Sequence, residues 1–270
     1  MNWLSTRSIQ FLLAVAALTF TAAAQATDFP FAAGETLTYE GKLSKIVSGI
    51  PVADLTFIVN STENGNFNIT AEARSKGTLL KIARFSFLQR YESTVNGEHF
   101  RISRTIKHDV QKDRVRNGEA FFDYEGRRVT YVETDPKDPM RPPRNIASEI
   151  ASPTQDIVSG IYSLRLLPLA VGKTFELQVS DSGLVYKIPV AVTARELLKT
   201  DIGTVWCLKV EPEVFGPGRL IESEGSMTIW ITDDRRRIPV RGVVKASIGK
   251  IDIRLRSISR QAENSEQAAK

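Results

Sequence analysis

The sequence predicts a mainly β protein: a single curved antiparallel sheet or open barrel of many short strands, with one short central helix. Three observations carry this. Apolar and polar residues alternate in run after run, which puts one face of each strand on a core and the other in water. Gly-containing turn signals separate these runs at short spacing. One segment alone switches to helical periodicity. The composition suits such a protein, with 42% hydrophobic and 25% charged residues among 270. A disordered chain would be poorer in apolar residues, and one cysteine cannot make a disulfide scaffold.

The elements follow in chain order. Arg7 is the sole charge before Asp28, residues 9–20 are mostly apolar, and Ala24-Gln25-Ala26 supplies small residues at −3 and −1. This is the order of a secretory signal peptide cleaved after Ala26. The apolar stretch is Ala- and Thr-rich, interrupted by Gln10, and short of the roughly 20 strongly apolar residues of a stable span. No cysteine lies near the cleavage site, so no lipoprotein anchor is expected. Residues 27–260 are expected to form a single β-rich domain. Ala53, Leu55, Phe57 and Val59 make one strand face, and Phe67, Ile69, Ala71 and Ala73 the next. Asn64-Gly65 between them is a strong hairpin signal. Further turns are expected at Asn96-Gly97, Asn117-Gly118, Glu125-Gly126, Asp181-Ser182-Gly183 and Gly216-Pro217-Gly218.

Residues 135–152 read as an exposed loop, with four prolines before Arg144. Ser152-Pro153-Thr154-Gln155 then reads as a capping box with Pro at the first helical position. Ile157, Val158, Ile161, Leu164 and Leu167 recur at helical spacing, so a helix is expected over 153–167, ended by Pro168. Strands resume with Tyr186, Ile188, Val190 and Val192, then Met227, Ile229 and Ile231, then Ile251, Ile253 and Leu255. Residues 261–270 form a polar tail.

Catalytic patterns are absent from the sequence. The histidines are His99 and His108, and His108-Asp109 with Asp113 has no recognised metal-site spacing. These read as polar strand ends. No Gly-x-Ser-x-Gly elbow occurs, and Cys207 sits in an apolar run that predicts a buried inert thiol. Glu222-Ser223-Glu224 and Asp233-Asp234 read as a solvated loop and a turn, whereas acid/base pairs from distant positions leave no sequence trace. Gly216-Pro217-Gly218 lacks the lysine and following helix of a phosphate loop. No metal and no cofactor is therefore expected.

Basic residues cluster between Arg101 and Arg116 and again at Arg235-Arg236-Arg237 and Arg241. Acidic neighbours make the first cluster a mixed-charge face. In an exported protein such patches meet anionic envelope surfaces rather than nucleic acid. A curved sheet closed by a helix can also leave an apolar cavity. Phe57, Tyr162, Trp206 and Trp230 are its candidate lining, against the plainer alternative of core packing.

Three motifs carry a family likeness. Pro30-Phe31-Ala32-Ala33-Gly34-Glu35-Thr36-Leu37-Thr38-Tyr39, the stretch from Asp156 to Gly172, and Trp230-Ile231-Thr232-Asp233-Asp234 with Arg237-Ile238-Pro239-Val240 stand in order along the chain. Together they resemble an exported bacterial family known as domain of unknown function 3108. The resemblance implies a periplasmic or envelope location in a Gram-negative-type bacterium and a curved or open-barrel β fold. It supplies no catalytic residue. The motif residues Asp156, Ser159, Tyr162, Arg165, Trp230 and Pro239 fit a structural role as well as ligand contact. The leading expectation is a non-enzymatic protein that binds an apolar or amphipathic envelope component, such as a lipid, or a partner protein. The alternatives are a scaffolding factor for envelope integrity and a hydrolase of cell-wall or glycan substrates.

Overall fold

A computed structural model of the chain describes residues 29–44, 49–77, 86–151, 153–247 and 249–260. The expected signal peptide, the polar tail and Ser152 lie outside these residues. Among these described residues, two sets of strands flank one helix. The first comprises β1 (Glu35–Ser44), β2 (Ile50–Ser61), β3 (Phe67–Ser75), β4 (Phe87–Val95), β5 (Ile102–Gln111), β6 (Arg114–Asp123), β7 (Arg128–Thr134) and β8 (Arg144–Glu149). After the short β9 (Thr154–Gln155) comes α1 (Ile157–Leu166). The second set is β10 (Thr174–Asp181), β11 (Leu184–Thr200), β12 (Gly203–Pro212), β13 (Gly225–Thr232), β14 (Pro239–Ala246) and β15 (Gly249–Arg260).

All fifteen strands belong to one open sheet in the order β8-β7-β6-β5-β4-β3-β2-β1-β15-β14-β13-β12-β11-β10-β9. Neighbours are antiparallel except β9 and β10. The first and last strands therefore meet at the middle of the sheet, where β1 pairs with β15. The sheet curls around α1. Val158 and Tyr162 pack with Val59, Ile69 and Val95 of β2–β4, whereas Leu164 packs with Val179, Ile188 and Val210 of β10–β12. At the far edges the curl nearly closes: the Ser148 hydroxyl of β8 donates to the Gly183 carbonyl in the β10–β11 turn at 2.7 Å.

Three local readings are corrected. The helix starts at Asp156, not at Ser152 and Pro153. The Asp156 carboxylate accepts from the Ser159 amide (2.7 Å), and the Asp156 amide donates to the Ser159 hydroxyl (3.0 Å). This reciprocal capping satisfies two of the amides that a helix start leaves unpaired. Thr154 and Gln155 are drawn instead into pairing with β10. Second, the Pro-rich loop ends at Pro143, and β8 occupies residues 144–149 because β7 offers it a free edge. Third, Asn117-Gly118 is no turn but lies inside β6. A Cβ on Gly118 would stand 2.2 Å from the Tyr131 hydroxyl, so the glycine is there to let that ring pass. The hairpins at Asn64-Gly65, Asn96-Gly97, Glu125-Gly126 and Asp181-Ser182-Gly183 form where the sequence places them.

Candidate functional site

Helix α1 is held at both ends by buried polar groups. At its start, the Asp156 carboxylate accepts from the Ser93 (2.5 Å) and Thr105 (2.6 Å) hydroxyls of β4 and β5. At its end, the Arg165 guanidinium donates to both oxygens of Glu35 at 2.5 and 3.1 Å. It also donates to the carbonyls of Pro30 (2.9 Å) and Arg236 (2.9 Å). Both partners are almost fully buried, at 1% and 7% side-chain exposure. Buried charge is tolerated only when paired and hydrogen-bonded, and here both conditions hold.

Pinned in this way, α1 does not fill the curl. Along one flank, Ile157, Gly160, Ile161 and Leu164 face Leu177, Ile188, Met227 and Ile229 across an apolar pocket of about 130 Å³. Gly160 faces β10, where a Cβ would lie in ordinary contact with Val179 at 3.6 Å. On the next flank, Ile161, Met227 and Ile229 face Tyr39, Leu55, Phe57, Val244 and Ile253 across a second pocket of about 130 Å³. Ile161, Met227 and Ile229 line both pockets, so the two adjoin along the helix and together make up its apolar cleft. Among the described residues, Arg241 is the only charged side chain of either lining. It donates to both Asp252 oxygens at 2.9 and 2.7 Å and lies 4.9 Å from the centre of the Trp230 ring. Its charge is thus compensated at the rim.

Of the four aromatic residues expected to line a cavity, Phe57 stands on the wall of the second pocket. Tyr162 lies behind it, 1% exposed and 6.4 Å from the Phe57 ring. Its hydroxyl has no hydrogen-bond partner, and burial pushes its pKa well above the ordinary tyrosine value. Trp230 is core, donating from Nε1 to Glu196 at 2.8 Å. Trp206 is corrected outright: it is 46% exposed on the outside of the β11–β12 hairpin, under the Arg195 guanidinium. Period-two alternation cannot assign which face of a strand meets the core when both are partly apolar. Among the motif residues, Asp156, Ser159 and Arg165 anchor the helix, and the Pro239 carbonyl accepts from the Tyr39 hydroxyl at 2.8 Å. Ser93 and Thr105 stand in no sequence motif, and Glu35 only within a longer one, because their partners lie far away in sequence. The cleft residues Met227, Ile229 and Ile253 already stood out as alternating apolar positions.

Several polar groups singled out by the sequence are held by neighbours or by burial. Asp109 is buried and paired with Arg114 rather than solvated, and His108 Nδ1 lies 2.6 Å from Asn117 Oδ1. Cys207 is fully buried, and desolvation, followed by nearby carboxylates, pushes its thiol up to about 11. Neither apolar pocket holds a carboxylate. A hollow of about 480 Å³ beside the end of α1 holds Glu98, and a pocket of about 240 Å³ beside the β11–β12 hairpin holds Asp201. Glycoside hydrolysis needs two, and among the described residues none of these four pockets brings two together. Among the described residues, no group of three or more His, Cys, Asp or Glu side chains could hold a metal ion, and no helix is long and apolar enough to cross a membrane.

Fold and site together define an open, barrel-like β protein with a helix inside its curl and an apolar cleft beside that helix. The chain belongs to the family described as "Protein of unknown function (DUF3108)", whose model matches residues 36–256. No curated protein matches the sequence. Among solved structures, a "beta-barrel-like protein of domain of unknown function DUF1849" from Brucella abortus is similar in fold. Its TM-score is 0.56 at 11% identity, over 84% of this chain and 97% of that one. A candidate exported protein with a YmcC-like fold from Bacteroides fragilis gives a TM-score of 0.37 at 10% identity, over 86% and 98% of the chains. A candidate lipoprotein from Parabacteroides distasonis gives 0.33 at 12% identity, over 86% and 97%. Scores this low carry no weight for the fold.

Proposed function

We propose that this protein is a non-enzymatic binding protein of the bacterial envelope. It acts in the periplasm after cleavage at Ala26, with residues 27–260 as one folded unit. Its cleft takes the apolar chain of an amphipathic envelope molecule. The observation that carries the reading is the cleft around Ile161, Met227 and Ile229. Its walls are apolar and partly open to solvent, although each of these side chains would gain by being covered. Pockets for small apolar ligands have this composition, with few polar groups at the edge. Here the edge is formed by Arg241 and Asp252.

The test is retention of lipid. Protein processed on export should yield an acyl-chain compound on extraction and mass spectrometry, and should bind fluorescent fatty acids. Affinity should rise about fourfold per added methylene until the cleft is full, from roughly 0.8 kcal/mol per buried CH₂. Met227→Trp, which fills the shared wall, should abolish uptake without lowering the melting temperature, whereas Met227→Leu should retain it. Protein that is empty and takes up no acyl chain would sink the proposal.

A further inference from the structure

The exposed apolar residues are not scattered. Of the eight exposed large apolar side chains among the described residues, four adjoin one basic turn: Leu166, Val171, Leu197 and Trp206. This is the β13–β14 turn, residues 233–238, which carries Arg235, Arg236 and Arg237. The Asp233 amide donates to the Trp206 carbonyl at 2.8 Å, seating the turn against the end of β12. Leu197 stands directly opposite Trp206 across the β11–β12 pair. Arg195 lies 4.2 Å from the Trp206 ring centre and pairs with Asp233 at 2.7 Å. On the other side of the turn, Arg237 donates to the Leu169 carbonyl at 3.4 Å, between Leu166 and Val171. The hollow of about 480 Å³ beside the end of α1 opens here as well, between Phe29 and Phe100 on one wall and Arg235 and Arg237 on the other.

From this arrangement we infer that this end of the curl is a docking face for an anionic membrane surface. The charge is complementary: Arg195, Arg235, Arg236 and Arg237 stand against Asp233 and Asp234. Glu98, Lys199 and Asp201 lie at the margin. The pairs of Arg195 with Asp233 and Arg236 with Asp234 are solvent-exposed, and such pairs are held weakly enough to exchange for lipid phosphate. Tryptophan flanked by arginine suits the bilayer interface, where the ring sits at headgroup depth and the guanidinium meets phosphate. A protein partner would favour a continuous apolar centre with charge at its rim, whereas here the arginines lie between the apolar side chains. The inference does not depend on occupancy of the cleft.

The experiment uses export-processed protein and vesicles of phosphatidylcholine with or without phosphatidylglycerol. Binding is expected to the anionic vesicles alone and should weaken with added salt. Trp206 emission should shift to the blue and be quenched by brominated acyl chains, a signal that Trp206→Phe removes. Arg235→Gln/Arg236→Gln should weaken partitioning about 25-fold, at about fivefold per arginine, and the corresponding lysine pair should restore it. Met227→Trp, which blocks the cleft, should bind vesicles normally. Equal binding to neutral vesicles, no binding to either, or loss of binding in Met227→Trp would each overturn the inference. So would unchanged binding in the double glutamine variant.

Discussion

Arg165 shows what a single residue contributes. It is 2% exposed, and its fixed positive charge is met by Glu35 and by two backbone carbonyls from opposite ends of the chain. Removing one partner of a buried pair leaves the other charged and unsolvated, at a cost of about 3–5 kcal/mol. Arg165→Ala is therefore expected to lose that much in urea unfolding. Arg165→Met combined with Glu35→Leu should recover most of it, because two apolar groups demand no solvation. A cost below about 1 kcal/mol for the single change, within the range of an exposed pair, would refute the burial of this pair. The sequence offered Arg165 through its family motif and Glu35 through another. Nothing in either motif says that residues 130 positions apart meet, since ion pairing between distant positions has no local pattern.

At the scale of elements, β14 and β15 pair in a way that creates a problem and resolves it. Arg241 and Arg254 stand directly opposite each other, and like charges in that relation destabilise a ladder. The Asp252 carboxylate accepts from both guanidiniums. Burial alone would raise its pKa, but the hydrogen bonds from Arg241 and Arg254 outweigh burial and hold it below the ordinary value of 3.8. A depressed carboxylate stabilises the fold above its unfolded pKa, and that contribution is lost as pH falls through the folded value. Asp252→Asn should accordingly be less stable than the parent by a constant margin above about pH 5, and the margin should shrink below pH 3.8. A margin that widens in acid would contradict this. The alternation in β15 was legible as Ile251, Ile253 and Leu255 against charged neighbours, but the partner of each charge depended on the β14 register.

For the whole molecule the decisive feature is the seam where the curl nearly closes. Gly183 has φ +81°, and a Cβ there would stand 2.7 Å from Tyr131 Cβ and 3.0 Å from Ile146 Cβ. The β10–β11 turn can approach β7 and β8 only because that position is bare. Gly183→Ala should lower stability by about 1–3 kcal/mol, from strain at positive φ and from the clash. Amide exchange should accelerate in β7 and β8 while remaining slow in β1 and β15. Uniform acceleration across the sheet would instead mean that the seam opens only with global unfolding.

The sequence by itself determined the strand-rich class, most of the hairpins, one helix ending before Pro168, and membership of the family. These follow from contacts within a few residues: alternation, turn chemistry and helical spacing. The tertiary structure decided which side chain caps the helix, because β10 captures Thr154 and Gln155 and leaves Asp156 at the start. It also placed Trp206 outside and Met227 and Ile229 in the cleft. A strand's two faces are assigned only when the sheet curls and its edges meet, and that depends on pairings such as β1 with β15 between strands more than 200 residues apart.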